Sequence, residues 1–591
     1  MTCRTRSERS NSMRACKSWS GLPLMEWMTG QDIAATTRSF SWGRRTVAIA
    51  RASVARRIED PSVNSFFFLD KAARQWPGNV ALLQGEESWT YSQFRNRALA
   101  IGGNLLALGC NKGDRVAFCL VNSPRIMELI FGCLAAGLVV VPVNARLHVR
   151  EMAYLVENSG AKILVHGPEC QEAIVADETL FCGLLRRICT QDVSGAEHFD
   201  RLIDPANALA RGCDADPEEI CWLFYTSGTT GKPKGAIWNH RMVARVIMNY
   251  LADLDNIQPG DVVLHCAPMS HGSGIIALPT VARGATNAIM ESGSFDPNKL
   301  LEMVERLKAS CIAFMAPTQI IKMLEDTDPG RFNLSSLRAV TYGGAPIYVD
   351  QLKRAMAAFG PIFVQLYGQG EAPITITGLT SDAHARLLAA NDLRLGSAGQ
   401  TRTDVEAACV DEHDNVLPPG KPGEVVVRGE IVMPGYWNDP AASEETLRNG
   451  WLHTGDIGYF DEEGYLFLLD RAKDMVISGG NNIYPREVEE VLVLHPNIAE
   501  CVVFGIPDDY WGEAVHAVVV LRAGATLTQE EVIAFCGEHL AGYKKPKAVD
   551  FLQALPVSGY GKVLRREIRD RYWQGHEGRI GGGSGVKMGA A

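Results

Sequence analysis

The chain reads as an α/β protein. A large amino-terminal domain of layered, mostly parallel sheets with a small β-rich subdomain precedes a small, mobile α+β carboxyl-terminal domain. Three observations predict this. From about Asn64, short apolar runs alternate with helix-period stretches, the pattern of parallel strands joined by helical crossovers. After Asp411 the texture changes to short strands and tight turns, as in antiparallel hairpins. And 591 residues exceed what one core holds, so several domains or subdomains are expected.

Residues 1–61 are rich in Arg and Ser and poor in acids. They read either as an organelle presequence or as a non-native or disordered extension. The large domain, 62–470, opens with the helical stretch Tyr91–Leu108 and the strand Arg115–Val121. The uncharged run Leu129–Val143 is shorter than a membrane span and is broken by Gly132, Gly137 and Pro142, so it reads as a buried helix running into a strand. Buried strands are expected at Ala161–Val165, Ile220–Tyr225, Asp261–Cys266, Cys311–Met315, Leu337–Tyr342 and Ile362–Leu366, with helices such as Asn298–Ala309 between them. Gly423–Arg428, Ile457–Phe460 and Tyr465–Leu469 follow as short strands, the last two joined across Asp461-Glu462-Glu463-Gly464. The small domain, 471–573, carries a helix at Pro485–Leu494, strands near Cys501–Phe504 and Ala514–Leu521, a helix at Gln529–Leu540 and a strand near Phe551. The Gly-rich tail 574–591 offers nothing to bury.

Composition narrows the function. With 46% hydrophobic and 21% charged residues the chain is of ordinary globular type, and its formal charge of -10 argues against nucleic acid as the main partner. The fifteen cysteines are scattered, with no Cys-x-x-Cys pair, and read as reduced thiols. A cytoplasmic location is expected, with mitochondrial and peripheral-membrane placement both open.

The most informative stretch is Tyr225-Thr226-Ser227-Gly228-Thr229-Thr230-Gly231-Lys232-Pro233-Lys234-Gly235, placed after a strand. Its glycines let the backbone approach an anion, its hydroxyls donate to phosphate oxygens, and its lysines add charge. It is not a Walker loop, because Gly231-Lys232 is followed by Pro233. A second cluster, Tyr367-Gly368-Gln369-Gly370-Glu371, also follows a strand. Glu371 suits Mg²⁺ shared with phosphates, and the Tyr367 ring suits stacking on adenine; a solvated acid and a core aromatic are the competing readings.

Together with Tyr342-Gly343-Gly344-Ala345-Pro346, Trp451-Leu452-His453-Thr454-Gly455-Asp456, Asp470-Arg471-Ala472-Lys473 and Gly561-Lys562-Val563-Leu564-Arg565, these motifs resemble in type and order the adenylate-forming superfamily. That superfamily comprises acyl- and aryl-CoA synthetases, peptide-synthetase adenylation domains and luciferases. The resemblance spans roughly residues 62–573. It implies a two-step ligase that takes ATP, Mg²⁺, a carboxylic acid and CoA and passes through an acyl-adenylate. Catalysis falls to Thr226, Glu371 and Lys562, with Glu371 also the metal ligand. Nucleotide contacts fall to Ser227, Gly228, Thr229, Thr230, Gly231, Lys234, Gly343, Gly344, Ala345, Tyr367, Gly368, Asp456 and Arg471, with Asp456 taking the ribose hydroxyls. Lys473 matches the hinge, and Gly479, Gly480 and Trp511 match CoA contacts, although packing is the rival reading of Trp511. Gly370 departs from the pattern, standing where Thr is usual.

Pro268-Met269-Ser270-His271-Gly272-Ser273-Gly274-Ile275-Ile276 resembles the acyl-pocket segment, with His271 and Gly272 in the pocket. It has no acid to meet an amino group, which argues for an apolar acid, fatty or aryl; a satisfied structural histidine is the other reading of His271. Loading of a carrier protein, luciferase-like oxidation, a non-catalytic nucleotide-binding protein and a homodimer all stay open. On the ligase reading, Lys562→Ala is expected to cripple acyl-adenylate formation while sparing thioester formation from supplied acyl-adenylate. Separate assays of the two half-reactions check this, and equal loss in both contradicts the assignment.

Overall fold

The computed structural model describes residues 64–226, 232–291, 295–345, 347–471, 473–478, 481–508, 510–557 and 563–573. The expected extension and tail lie outside them. The described residues form four sheets. One of nine strands runs in the order Gln400–Thr401, Thr377–Leu379, Phe363–Tyr367, Ala339–Tyr342, Cys311–Met315, Val262–His265, Thr286–Ile289, Val80–Gln84, Glu87–Thr90. Its central strands are parallel and its edges antiparallel. A second, of seven strands, runs Glu197–His198, Arg186–Cys189, Ile163–His166, Arg115–Leu120, Val139–Asn144, Ile220–Thr226, Lys234–Asn239. Only its last pair is antiparallel. The α/β layering expected from the apolar runs is therefore present, since strands buried on both faces need continuous rather than alternating hydrophobicity.

The run Leu129–Val143 divides as its glycines suggest. The helix Pro124–Ala136 is buried nearly all round, Gly137 turns the chain at φ 69°, and Val139–Asn144 enters the sheet. Gly132 lies where this helix meets Tyr91–Ala107; a Cβ there would sit 2.5 Å from Ile101 Cγ2. Among the described residues no helix is long and apolar enough to cross a membrane.

The β-rich subdomain is a five-stranded antiparallel sheet of Val405–Val410, Gly423–Gly429, Leu447–Arg448, Trp451–Phe460 and Leu466–Arg471. Its hairpin turn is the expected one: Asp461 Oδ1 accepts from the Glu463 and Tyr465 amides, and Gly464 takes φ 80°. The strand before it begins at Trp451, not Ile457, so Asp456 stands on a strand paired directly with Arg471. In the small domain Ile498–Asp508 and Gly512–Leu521 form a long hairpin, joined by Val476–Ser478, Asn481–Ile483 and the parallel Ala548–Leu552. The helices Pro485–Leu492 and Gln529–His539 contribute Val488, Leu492, Val532 and Cys536 to the core on this sheet.

Three histidines are sealed into the large domain: His240 against Ser65, His265 between Ser273 and Asn287, and His384 between Tyr342 and Thr380. Burial drives each of them down to about 4. A base held neutral in the fold but protonated in the unfolded chain contributes its full stability above the unfolded value of 6.5. That contribution is lost progressively as pH falls towards the folded value, by at most about 1.4 kcal/mol per pH unit per histidine. The thermal midpoint is expected to drop between pH 6.5 and 4, and His265→Gln or His384→Gln should flatten the drop.

Candidate active site

The strands deliver their chemistry at their carboxyl ends, where open α/β sheets bind ligands. Ile220–Thr226 and Lys234–Asn239 pair with Thr226 opposite Lys234, so the hydroxyl-rich loop between them leaves from the sheet's end. Ser227, Gly228, Thr229, Thr230 and Gly231 lie outside the described residues. Its two flanks are in place. Thr226 Oγ1 donates to Glu371 Oε1 at 3.2 Å, and Lys234 Nζ stands 5.2 Å from the centre of the Tyr436 ring.

Glu371, 9% exposed, follows the strand Phe363–Tyr367. Its Oε1 also accepts from the Tyr436 hydroxyl at 2.7 Å. Burial first, and Glu371 second, push the Tyr436 phenol well up, so it stays a donor. Next to it, Gly370 has its carbonyl held by Trp238 Nε1 at 2.7 Å. A Cβ at Gly370 would sit 2.2 Å from Thr226 Cγ2 and 2.8 Å from Phe224 Cδ1. The space a side chain would use at this position is filled by Thr226 and Phe224, which accounts for the departure from the expected Thr.

Asp456 is the second buried carboxylate. Its Oδ2 accepts from Tyr367 Oη and Gln369 Nε2, each at 2.7 Å, and its Oδ1 meets Arg471 Nε at 3.2 Å. Glu424 braces the turn beneath it, accepting from His453 Nδ1 at 2.9 Å and from the Gly455 amide at 3.0 Å. Gly343 cannot carry a side chain, because its Cβ would lie 2.6 Å from the Leu366 carbonyl; Gly344 takes φ 78°. Gly344, Ala345, Tyr367, Gly368, Asp456 and Arg471 converge on one cavity of about 360 Å³. Val563 of the small domain lines the same cavity. Lys562, its neighbour in sequence, lies outside the described residues.

His271 precedes the helix Gly272–Ala282, and its ring centre lies 4.7 Å from that of Phe224 with the planes tilted by 38°. His265, in the strand before it, has both ring nitrogens bonded. Phe314, from the end of the strand Cys311–Met315, closes the gap between Gly272 and Gly344; a Cβ at either would lie 3.2 or 3.3 Å from its ring. Lys473 is exposed just beyond Arg471. Gly479 and Gly480 fall outside the described residues. Trp511 is 43% exposed, with Lys547 Nζ 5.7 Å from its ring centre.

Tyr436, Gln369, Glu424 and Phe314 escape the sequence reading. Tyr436 is 65 residues from Glu371 along the chain, and the Gly435-Tyr436 turn carries no local mark of that contact.

The profile described as AMP-binding enzyme matches residues 69–437, and that described as AMP-binding enzyme C-terminal domain matches 487–562. A feruloyl-CoA synthase of Amycolatopsis sp is 37% identical over 504 residues, covering 85% of this chain and 98% of that protein. A medium/long-chain-fatty-acid–CoA ligase, FadD8, of Mycobacterium tuberculosis is 32% identical over 558 residues, covering 90% and 95%. The crystal structure of ATP-bound MatB from Rhodopseudomonas palustris superposes with TM-score 0.77 at 28% identity, covering 87% and 99%.

Asp456→Asn places a donor against Arg471 and removes a charged acceptor. The apparent affinity for ATP is expected to fall by about 2 kcal/mol, roughly thirtyfold, as read by nucleotide titration. Unchanged affinity would separate Asp456 from nucleotide binding.

Proposed function

The chain belongs to the AMP-binding enzyme family of adenylate-forming acid–CoA ligases, and on that premise we propose that it activates an apolar, aryl-bearing carboxylic acid. The observation that carries this reading is the aromatic wall beside Gly344. The Phe224 and His271 rings lie 4.7 Å apart with their planes tilted by 38°, and Phe314 fills the space between Gly272 and Gly344. Flat, polarisable walls favour a flat, apolar guest. No acid in Pro268–Ile276 is available to an amino group. The match to a feruloyl-CoA synthase over 98% of that protein supports an aryl acid; the fatty-acid ligase match keeps a long alkyl chain as the competing outcome.

In the first step an oxygen of the acid's carboxylate bonds to the α-phosphorus of ATP as the bond to the pyrophosphate oxygen breaks. Tyr367, Asp456 and Arg471 hold the nucleotide, and the Gln365 amide oxygen, buried without a partner beside the cavity, accepts from the adenine amine. The cation of Lys562 screens the repulsion between the two anions. Among the described residues no cluster of three or more metal-ligating side chains occurs, which suits Mg²⁺ held chiefly by phosphates and water. Glu371 fits as its one carboxylate: both described bonds fall on Oε1, leaving Oε2 for the cation. In the second step the CoA sulfur bonds to the acyl carbon, its proton is lost, and AMP leaves. Trp511 and Lys547 offer an exposed aromatic and cationic platform for the nucleotide end of CoA, and Lys473 is the hinge that turns the small domain between steps.

The test is a panel of hydroxycinnamic, benzoic, fatty and amino acids, each with ATP, with and without CoA. AMP and acyl-CoA formation highest with an aryl acid is the expected result. Preference for a fatty acid overturns the substrate, and acyl-adenylate that never transfers to free CoA points to a carrier-protein acceptor instead.

A further inference from the structure

One buried ionic cluster lies outside the groups assigned above, at the seam between the domains. Asp470 stands on the last strand of the large domain, next to Arg471. Both its oxygens accept from Arg565 Nη1, at 2.9 and 3.0 Å, and its Oδ1 also accepts from the Arg471 amide at 2.8 Å. Arg565 Nη2 donates to Glu489 Oε1 at 2.8 Å. Glu489 is bound into the small domain by the Val503 amide at 2.8 Å and is reached from the large domain by the Tyr348 hydroxyl at 3.4 Å. The side chains of Asp470 and Glu489 are 7% and 5% exposed.

Such a cluster differs from an exposed ion pair, which contributes little. A carboxylate this far from water is strongly disfavoured once its cation leaves. Asp470 and Arg565 lie on opposite sides of Lys473, so turning the chain there draws them apart. The contact therefore belongs to one orientation of the small domain, the one in which Val563, two residues before Arg565, lines the cavity with Tyr367 and Asp456. A contact present in only one of two orientations shifts the population towards it by the differential free energy of that contact.

We propose that Asp470 and Arg565, supported by Tyr348 through Glu489, are positioning residues for acyl-adenylate formation: their ion pair across the hinge holds the small domain in the orientation that presents the segment before Arg565 to the nucleotide. This rests on the ligase reading above. The cluster residues border the same cavity as Tyr367 and Asp456, and their effect is confined to the half-reaction that uses this orientation.

The experiment compares the full-length protein with Asp470→Asn and Tyr348→Phe, both in the large domain, and with Arg565→Lys, which keeps the charge. Acyl-adenylate formation is read by exchange of labelled pyrophosphate into ATP, and thioester formation by single turnover of supplied acyl-adenylate with CoA. Exchange is expected to fall about tenfold or more in Asp470→Asn and several-fold in Tyr348→Phe. Arg565→Lys should lie between the parent and Asp470→Asn, with thioester formation unchanged or faster throughout. Equal losses in both half-reactions, or no loss in either, overturn the proposal. Failure of the parent protein in both assays would instead remove the ligase reading, so the two failures are distinguishable.

Discussion

Two carboxylates taken almost out of water, Glu371 and Asp456, set the constraint on which the rest of the site depends. A buried carboxylate persists only if donors or cations meet it. Around Glu371 the fold brings Thr226 from one sheet and Tyr436 from the β-rich subdomain. Around Asp456 it brings Tyr367, Gln369 and Arg471. The donors come from segments far apart in sequence, so meeting both charges forces two parallel sheets and the antiparallel subdomain to converge at one edge. Tyr367, Gln369, Asp456 and Arg471 line the cavity of about 360 Å³ there.

The same electrostatic logic recurs at the domain seam with the opposite balance. There a single guanidinium, Arg565, serves two buried carboxylates, Asp470 and Glu489, and one of these precedes the proposed hinge. Where Glu371 and Asp456 are each met by several donors, the two buried carboxylates at the seam share the one guanidinium of Arg565. A ligase that reuses one small domain for two steps needs both kinds of site: one that binds and one that holds an orientation long enough for the chemistry.

The glycines mark where backbone and ring must come close. Gly343 lies against the Leu366 carbonyl, and Gly272 and Gly344 leave room for Phe314. Gly370 has the same cause: Thr226 and Phe224 fill its side-chain space, and the Phe224 ring in turn meets the His271 ring at a tilt. The missing hydroxyl at Gly370 and the aromatic contact beside it are thus parts of one packing arrangement.

Much of this was legible in the chain. Apolar runs such as Cys311–Met315 marked parallel strands because residues buried on both faces leave a local, continuous signal. The Asp461 turn followed from hydrogen bonds within five residues. Other features had no local signature: that Asp456 sits on a strand opposite Arg471, that Tyr436 serves Glu371, that Phe314 lies between Gly272 and Gly344, and that Arg565 crosses to Asp470. Each depends on two segments meeting after the chain has folded, and periodicity reports only which face of an element is buried, not what covers it. The sequence by itself determined the fold class, the family and the kinds of chemical group present. The tertiary structure alone decided which of those groups stand within a hydrogen bond of one another, because that distance is a property of packing between elements and not of any one of them.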